Sequence, residues 1–196
     1  MITGNKMVGE IAAELTEISL PNMASALQTI YRSDDYNKMD HLAFLNAIVT
    51  PEYDAKMEKR LSNRLDNANL KGCPQEISKC VNSADREYKP DGITDTLRTL
   101  DFIDTGLNVC ILGPSDSGKS YLAKALAIHA CTRFSVEYYH CEALLESMQA
   151  LKIASYNKFQ KRMTQLTKRG LLVLDDFLLH TISEEGEVNE KKACED

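Results

Sequence analysis

The residues most suited to chemistry in this sequence form a glycine-rich octapeptide. Residues 113–120 read Gly-Pro-Ser-Asp-Ser-Gly-Lys-Ser and satisfy the pattern GxxxxGK[ST], in which backbone N–H groups wrap the phosphates of a nucleotide. In that pattern Lys119 pairs with the β- and γ-phosphates, and the Ser120 hydroxyl ligates Mg²⁺. The predicted nucleotide-binding residues are Gly113, Pro114, Ser115, Asp116, Ser117, Gly118, Lys119, Ser120 and Tyr121.

A second acidic signal follows later in the chain. Four aliphatic residues, 171–174, run directly into Asp175 and Asp176. Alone, two acids after a strand are as well explained by a turn. Beside a phosphate loop, however, they form the Walker B pattern, in which Asp175 holds Mg²⁺ through water and Asp176 orients or deprotonates the attacking water. We therefore predict ATP and Mg²⁺ as cofactors, with Lys119 and Asp176 as catalytic residues.

The elements that must position these residues alternate between strand and helix. Apolar patterning predicts strands at 109–112, 135–139 and 171–174, the last of them buried, and helices at 119–131, 142–151 and 156–166. This alternation is typical of an α/β fold with a parallel sheet covered by helices. The carboxyl ends of such strands are where ligands bind, and the phosphate loop and Asp175 both lie there.

The N-terminal part of the chain shows a different, helical pattern. We predict a loose or weakly helical leader over 1–18, an amphipathic helix over 20–31 and a second over 42–49. Thr50 and Pro51 then open a third helix, as cap and first helical residue. That helix is expected to bury one face, made of Tyr53, Met57, Leu61 and Leu65.

These patterns divide the chain into four parts. A helical partner- or DNA-interaction region covers 1–70, and a connector rich in Gly, Pro, Asn and Ser covers 71–95. A short helix is expected at 96–103. The P-loop ATP-binding core covers 96–183, and an acidic polar tail covers 184–196.

Composition limits the function classes. The 43% hydrophobic and 27% charged residues are those of a folded soluble protein, and neither a membrane span nor a secretory signal is visible, so we expect a cytoplasmic protein. Six cysteines show no zinc-binding spacing and are expected to be reduced thiols. A net charge of −6 argues against nonspecific nucleic-acid binding by the chain as a whole.

Local basic stripes are the remaining candidates for contact with double-stranded DNA. Lys56, Arg60 and Arg64 form an i, i+4 row, and the segment Lys152–Arg169 holds six basic residues and no acid. For both stripes a solvated helix face is the competing interpretation.

Three stretches of this sequence resemble a known family. They are LPNMASALQTIYRS, TLRTLDFIDTGLNVCILGPSDSGKSYLAKALAIHA and LLVLDDF. They look like the IstB-like ATP-binding proteins, AAA+ helpers of transposition, and are similar to the related DnaC helicase loaders. The resemblance implies an AAA+-like P-loop NTPase fold, ATP-dependent remodelling of a DNA complex, homo-oligomers, and a transposase or a replicative helicase as partner.

The sequence departs from that family in two places. Asp116 stands where the family usually has glycine, and brings a negative charge towards the phosphates. The family also continues past Walker B with two core strands, a sensor residue and an arginine finger, none of which the polar tail matches. We therefore expect a core that is incomplete at its C-terminus, as in a truncated or decayed copy, and negligible ATP hydrolysis by this chain alone.

Three functions stay open from sequence. The first is an ATP-binding transposition helper, and the second is a helicase loader with the same core. The third is a non-catalytic fragment that uses its helical N-terminal region as an interaction module.

Overall fold

The computed structural model describes residues 2–33, 38–83, 86–177, 181–182 and 188–189. Contacts within the chain divide it into two compact units, Met1–Ser62 and Asn63–Asp196. The parallel sheet and the phosphate loop both lie in the second unit. No helix among the described residues is long and apolar enough to cross a membrane.

The first unit is helical from its start. Helix α1 covers Ile2–Glu17 and packs on α2, Pro21–Arg32. Of the two forms predicted for this segment, loose or weakly helical, the helical one is confirmed. Good helix formers such as Ala, Glu and Leu occupy its second half, and Ala12 is buried, so the small residue permits close helix packing. The predicted helix over 20–31 is confirmed.

One long helix, α3, His41–Asn67, replaces the two helices predicted on either side of Thr50. Asp40 caps its start, since its Oδ1 atom accepts the backbone N–H groups of Leu42 and Ala43 at 2.9 and 2.8 Å. Pro51 lies inside the helix, although proline removes one backbone donor. The predicted helix boundary at residue 50 is therefore wrong.

The buried residues of α3 are Ile48 and Glu52, and the predicted face residue Tyr53 is not among them. Tyr53 is 60% exposed, whereas Glu52 is buried and accepts the backbone N–H groups of Asn22 and Met23. Those donors at the start of α2 have no partner within their own helix, so the carboxylate satisfies them at the positive end of the helix dipole. The other predicted face residues, Met57, Leu61 and Leu65, are half-buried.

The second unit begins with the last residues of α3, and the described chain between α3 and α4 is irregular, as predicted for the connector, apart from one 3₁₀ turn at Ile77–Lys79. The last residues of the predicted connector, 93–95, already lie in α4. Its helices are α4 Ile93–Thr99, α5 Asp101–Asp104, α6 Lys119–Ala130, α7 Cys141–Ala154 and α8 Tyr156–Thr167. Its strands are β1 Val136–His140, β2 Leu171–Asp175, β3 Thr181–Ile182 and β4 Val188–Asn189. The single helix predicted over 96–103 is split, because Leu100 adopts a left-handed conformation with φ of 64°.

Strands β1 and β2 pair in parallel, from Val136 opposite Leu171 to His140 opposite Asp175. Helices α7 and α8 form the crossover that two parallel strands require. This register brings the carboxyl ends of both strands to one edge. The predicted α/β class with a parallel sheet is confirmed, although the described sheet is small.

The strand predicted at 109–112 is not formed. Residues 107–114 have no regular structure, and Leu112 is 86% exposed. A strand requires a neighbour for its backbone groups, and no described residue pairs with this segment. Strand β2 is likewise not fully buried, since Leu172 and Leu174 are exposed on one of its faces.

The acidic tail over 184–196 lies outside the described residues except for β4. Strands β3 and β4 form a two-residue antiparallel pair, separate from the parallel sheet. The sequence analysis predicted no strand in the tail. Val188 of β4 and Ile182 of β3 are β-branched residues, which favour extended backbone.

Candidate nucleotide-binding site

The glycines of the phosphate loop occupy positions that disfavour other residues. A Cβ atom on Gly113 would lie 2.9 Å from the Oγ atom of Ser117. Gly118 has a φ of 86° and directly precedes α6, whereas its nearest neighbour is the end of the flexible Arg86 side chain, 3.1 Å from a Cβ there. Crowding therefore favours glycine at position 113, and the backbone conformation favours it at position 118.

Lys119 folds back across this loop. Its Nζ atom donates to the carbonyl oxygens of Gly113 and Pro114 at 2.9 and 2.7 Å. The ammonium therefore lies against the loop that the sequence predicts to hold phosphates. The start of α6 adds the positive end of a helix dipole at the same place.

Asp116 adopts a left-handed backbone conformation, with φ of 59°. Aspartate tolerates this conformation better than most residues, and glycine adopts it without strain. Its side chain is exposed. The departure from the family pattern therefore does not prevent the loop from turning.

The two halves of the predicted site meet at Ser120 and Asp175. The Ser120 hydroxyl donates to Asp175 Oδ1 at 2.9 Å, although 55 residues separate them. Asp175 is buried. Because the hydroxyl hydrogen points to the carboxylate, the lone pairs of Ser120 Oγ are left to bind a cation.

Two residues that the sequence analysis missed support the acidic pair. The hydroxyl of Tyr138 donates to Asp175 Oδ2. Burial, followed by its hydrogen bond to Asp175 and that carboxylate's charge, raises the pKa of Tyr138, so its hydroxyl stays protonated. His140 Nδ1 lies 3.3 Å from Oδ2 of Asp176, which is exposed.

The donor set fits Mg²⁺. Ligand atoms of His140, Asp175 and Asp176 lie within 4.8 Å of one another, and the Ser120 hydroxyl adjoins them. Mg²⁺ prefers oxygen ligands, which Ser120 and the two carboxylates supply. An imidazole is a poorer ligand for this ion, so His140 is better suited to orient Asp176.

Tyr121, the last predicted nucleotide-binding residue, belongs to a small apolar cluster beneath the loop. It packs with Ile111 against Cys80 and Leu122. Its ring also lies 6.0 Å from the guanidinium of Arg86, a connector residue that the sequence analysis did not single out. Through this cluster, Cys80 of the connector and Ile111 of the segment before the loop pack against α6.

The arginines of the segment Lys152–Arg169 are already paired inside the protein. Arg162 Nη2 and Arg169 Nε contact the carboxylate of Glu137 at 2.6 and 2.5 Å, and Glu137 is only 3% exposed. These ion pairs compete with contact between the two arginines and DNA, and DNA contact by the segment stays a prediction. The lysines of the segment are exposed: Lys152, Lys158, Lys161 and Lys168.

In the other basic stripe, the row of Lys56, Arg60 and Arg64, two side chains already have partners within the protein. Lys56 lies 3.7 Å from Glu52. Arg64 donates to the carbonyl oxygens of Cys131 and Thr132, at the C-terminal end of α6. Among the contacts between described residues, Arg60 is the member of this row without such a role, so the row is weak as a DNA-binding surface.

Comparison with known proteins shows the family to which the sequence is similar. The sequence matches the profile of the family described as IstB-like ATP binding protein over residues 13–189. It is 33% identical over 171 residues to an insertion sequence ATP-binding protein of Sinorhizobium fredii, covering 86% of this chain and 66% of that relative.

Two further relatives carry similar descriptions. One is the IS1162 ATP-binding protein of Pseudomonas fluorescens, with 28% identity over 183 residues, 91% of this chain and 76% of the relative. The other is the IS232 ATP-binding protein of Bacillus thuringiensis, with 25% identity, covering 85% of this chain and 66% of the relative. The chain thus spans about two thirds of the length of the first of these relatives.

Proposed function

The chain belongs to the family of IstB-like ATP binding proteins, and from this premise we propose that it binds ATP with Mg²⁺ and assists DNA transposition in the cytoplasm. It would do so by an ATP-dependent interaction with double-stranded DNA and a transposase. The observation that carries the proposal is the hydrogen bond from Ser120 to Asp175, because it joins the phosphate loop to the acidic strand end.

Each predicted site residue except Tyr121 has a direct role in this proposal. The loop from Gly113 to Gly118 would hold the phosphates, and Lys119 would neutralise their charge. Ser120 and Asp175 would hold Mg²⁺, which supplies charge stabilisation on the phosphates when bound. Asp176 would act on the attacking water, with His140 fixing its carboxylate.

The same proposal assigns work to the rest of the chain. Residues 1–70 would form the partner- or DNA-interaction region, 71–95 the connector, 96–183 the ATP-binding core and 184–196 an acidic tail. The names of the relatives support an insertion-sequence role over that of a helicase loader. A non-catalytic interaction fragment remains the second candidate, favoured by the exposed residues of β2.

Fluorescence anisotropy with labelled duplex DNA tests the proposed function. Binding should tighten with ATP and Mg²⁺ relative to ADP or no nucleotide, and the transposase of the same element should co-purify with the ATP-loaded protein. Steady-state ATP hydrolysis by the chain alone should be negligible, and turnover that Asp176→Asn abolishes would show instead that the core is catalytically competent. Nucleotide-independent DNA binding would favour the non-catalytic fragment over the ATP-dependent helper.

The exposed lysines of α8 are the sharpest test of DNA contact. We expect Lys158→Glu/Lys161→Glu to weaken duplex binding alike for all sequences and to reduce the slope of log affinity against log salt by about two. The measurement is anisotropy over a salt series. The matched control is Lys71→Glu/Lys79→Glu, which makes the same charge change at exposed connector residues. Equal salt slopes for both double variants would indicate that the lysines of α8 form a solvated helix face without DNA contact.

Removing the charge from the phosphate loop should strengthen nucleotide binding. We expect Asp116→Gly to tighten ATP binding by roughly three- to tenfold, because a carboxylate near the phosphates costs about 1 kcal/mol in a solvated site. Glycine also adopts the positive φ of this position freely. Asp116→Asn, measured in parallel by calorimetry, removes the charge alone and should share most of the gain. Weaker binding by the glycine variant would mean that Asp116 supports the loop.

A further inference from the structure

The carboxylate of Asp175 is held at both oxygens. Oδ1 accepts the hydroxyl of Ser120 at 2.9 Å and the backbone N–H of Asp176 at 3.2 Å. Oδ2 accepts the hydroxyl of Tyr138. One oxygen therefore faces the phosphate loop, while the other is fixed by strand β1.

Tyr138 is built into the sheet at the position from which it reaches this carboxylate. It lies in β1 opposite Val173, two residues before Asp175 in β2. Among the tyrosines of the described residues it alone is buried, with 6% exposure. A buried tyrosine hydroxyl needs a hydrogen-bond partner, and here that partner is the acidic residue predicted to hold the metal.

We propose that Tyr138 is a positioning residue that orients the Asp175 carboxylate for Mg²⁺ binding in the nucleotide complex. This inference rests on the proposed function, because it presumes that Ser120 and Asp175 hold the cation beside ATP. The hydroxyl fixes Oδ2 and so turns Oδ1 towards Ser120. Hydrogen-bond partners of this kind set the direction of metal-binding carboxylates, and their loss typically costs 10- to 100-fold in metal affinity.

A purely structural role for Tyr138 makes a different prediction. Were the hydroxyl only a satisfied core group, its removal would change the stability of the fold and leave the metal dependence of nucleotide binding unaltered. Tyr138→Phe keeps the ring that packs in the core and removes the one hydrogen bond in question. Tyr156→Phe is the matched control, because Tyr156 is exposed and its hydroxyl accepts a hydrogen bond from Gln160, outside the site.

The experiment is a Mg²⁺ titration of nucleotide affinity. A fluorescent ATP analogue is bound to the full chain, first in EDTA and then over increasing Mg²⁺, and circular dichroism verifies folding. We expect Tyr138→Phe to raise the half-saturating Mg²⁺ concentration by 10- to 100-fold. Its affinity in EDTA should stay within about twofold of wild type, and Tyr156→Phe should match wild type in both measurements.

The possible outcomes distinguish a failure of the role inferred for Tyr138 from a failure of the proposed nucleotide-binding function. No nucleotide binding by wild type would overturn the proposed function, and the inference with it. Mg²⁺-dependent binding that is unchanged in Tyr138→Phe would overturn the inference alone. An equal loss of affinity in EDTA and in Mg²⁺ would also overturn it, since Tyr138 would then support the loop rather than the metal.

A measurement on wild-type protein serves if Tyr138→Phe does not fold. Tyrosines labelled with ¹³C at the carbon that bears the hydroxyl report changes in its hydrogen bond by NMR. Adding Mg²⁺ to the nucleotide complex should shift the resonance of Tyr138, the buried tyrosine among the described residues, and leave those of exposed tyrosines such as Tyr156 in place. A protected resonance that does not respond to Mg²⁺ would contradict the proposal.

Discussion

Replacing Lys119 with alanine is expected to reduce ATP affinity by about 100-fold or more. The ammonium lies across the phosphate loop and now contacts the carbonyl oxygens of Gly113 and Pro114. In a nucleotide complex it would turn to the phosphate oxygens, and each charged hydrogen bond contributes about 1.5–3 kcal/mol. Two such bonds account for the predicted loss. Isothermal titration calorimetry with ATP and Mg²⁺ measures it directly.

The control for this variant is Lys152→Ala, which removes an exposed lysine in the last turn of α7. It should bind ATP as wild type does. Both variants should melt at the temperature of wild type, because neither side chain is buried. Equal and measurable ATP affinity in Lys119→Ala and wild type would show that nucleotide does not bind in this loop.

The phosphate loop could be predicted from sequence because its chemistry is local. Gly113, Gly118, Lys119 and Ser120 act through backbone conformation and short-range contacts, and their order along the chain carries that information. The motifs also assigned Ser120 and Asp175 to one Mg²⁺ site, and these two side chains are hydrogen-bonded to each other, although the strand predicted to lead into the loop is not formed.

Tyr138 and His140 could not be predicted in the same way. Their contacts with Asp175 and Asp176 depend on the register between β1 and β2, which the crossover through two helices sets. A tyrosine in a strand is ordinarily a packing residue, so its type carries no signal. Only the paired strands show that its hydroxyl meets a carboxylate.

The errors in the predicted fold have physical causes of the same kind. Pro51 normally ends or begins a helix, yet α3 continues through it, and the buried residues Ile48 and Glu52 lie on either side of the proline. The segment at 109–112 has the composition of a strand, but a strand forms only where another supplies backbone partners. The local sequence pattern indicates only the intrinsic preference of a segment for helix or strand. The helix through Pro51 and the segment at 109–112 depend also on contacts with other parts of the chain.

Reversing the charge of Arg162 is expected to destabilise the protein by about 3–5 kcal/mol, the usual cost of breaking a buried ion pair. Glu137 lies on β1 with its carboxylate held by Arg162, Arg169 and the hydroxyl of Tyr139. Arg162→Glu would place a second carboxylate beside that of Glu137, a residue that is only 3% exposed. For a chain of this length the melting temperature should fall by about 6–20 °C, measured by calorimetry at pH 7.

The neighbouring variant Lys161→Glu is the matched control, since Lys161 is exposed and should melt within about 2 °C of wild type. Glu137→Gln added to Arg162→Glu should recover part of the loss, because it removes the repulsion between carboxylates. Equal melting of Arg162→Glu and Lys161→Glu would contradict the ion pair. A loss of DNA binding in Arg162→Glu therefore cannot by itself count as evidence of DNA contact.

The same cluster predicts how stability depends on pH. Burial acts to raise the pKa of Glu137, but hydrogen bonds from Arg162, Tyr139 and Arg169 outweigh it and hold that pKa below its usual range. A carboxyl group whose pKa is lowered by folding stabilises the protein above its unfolded pKa, about 4.3, and loses that contribution as pH falls through the folded value. In the Arg162→Glu variant, lowering the pH instead protonates the neighbouring carboxylates and so relieves the repulsion between them. The difference in melting temperature between wild type and this variant should therefore narrow from pH 7 towards pH 4, and a constant difference would contradict the charge-based account.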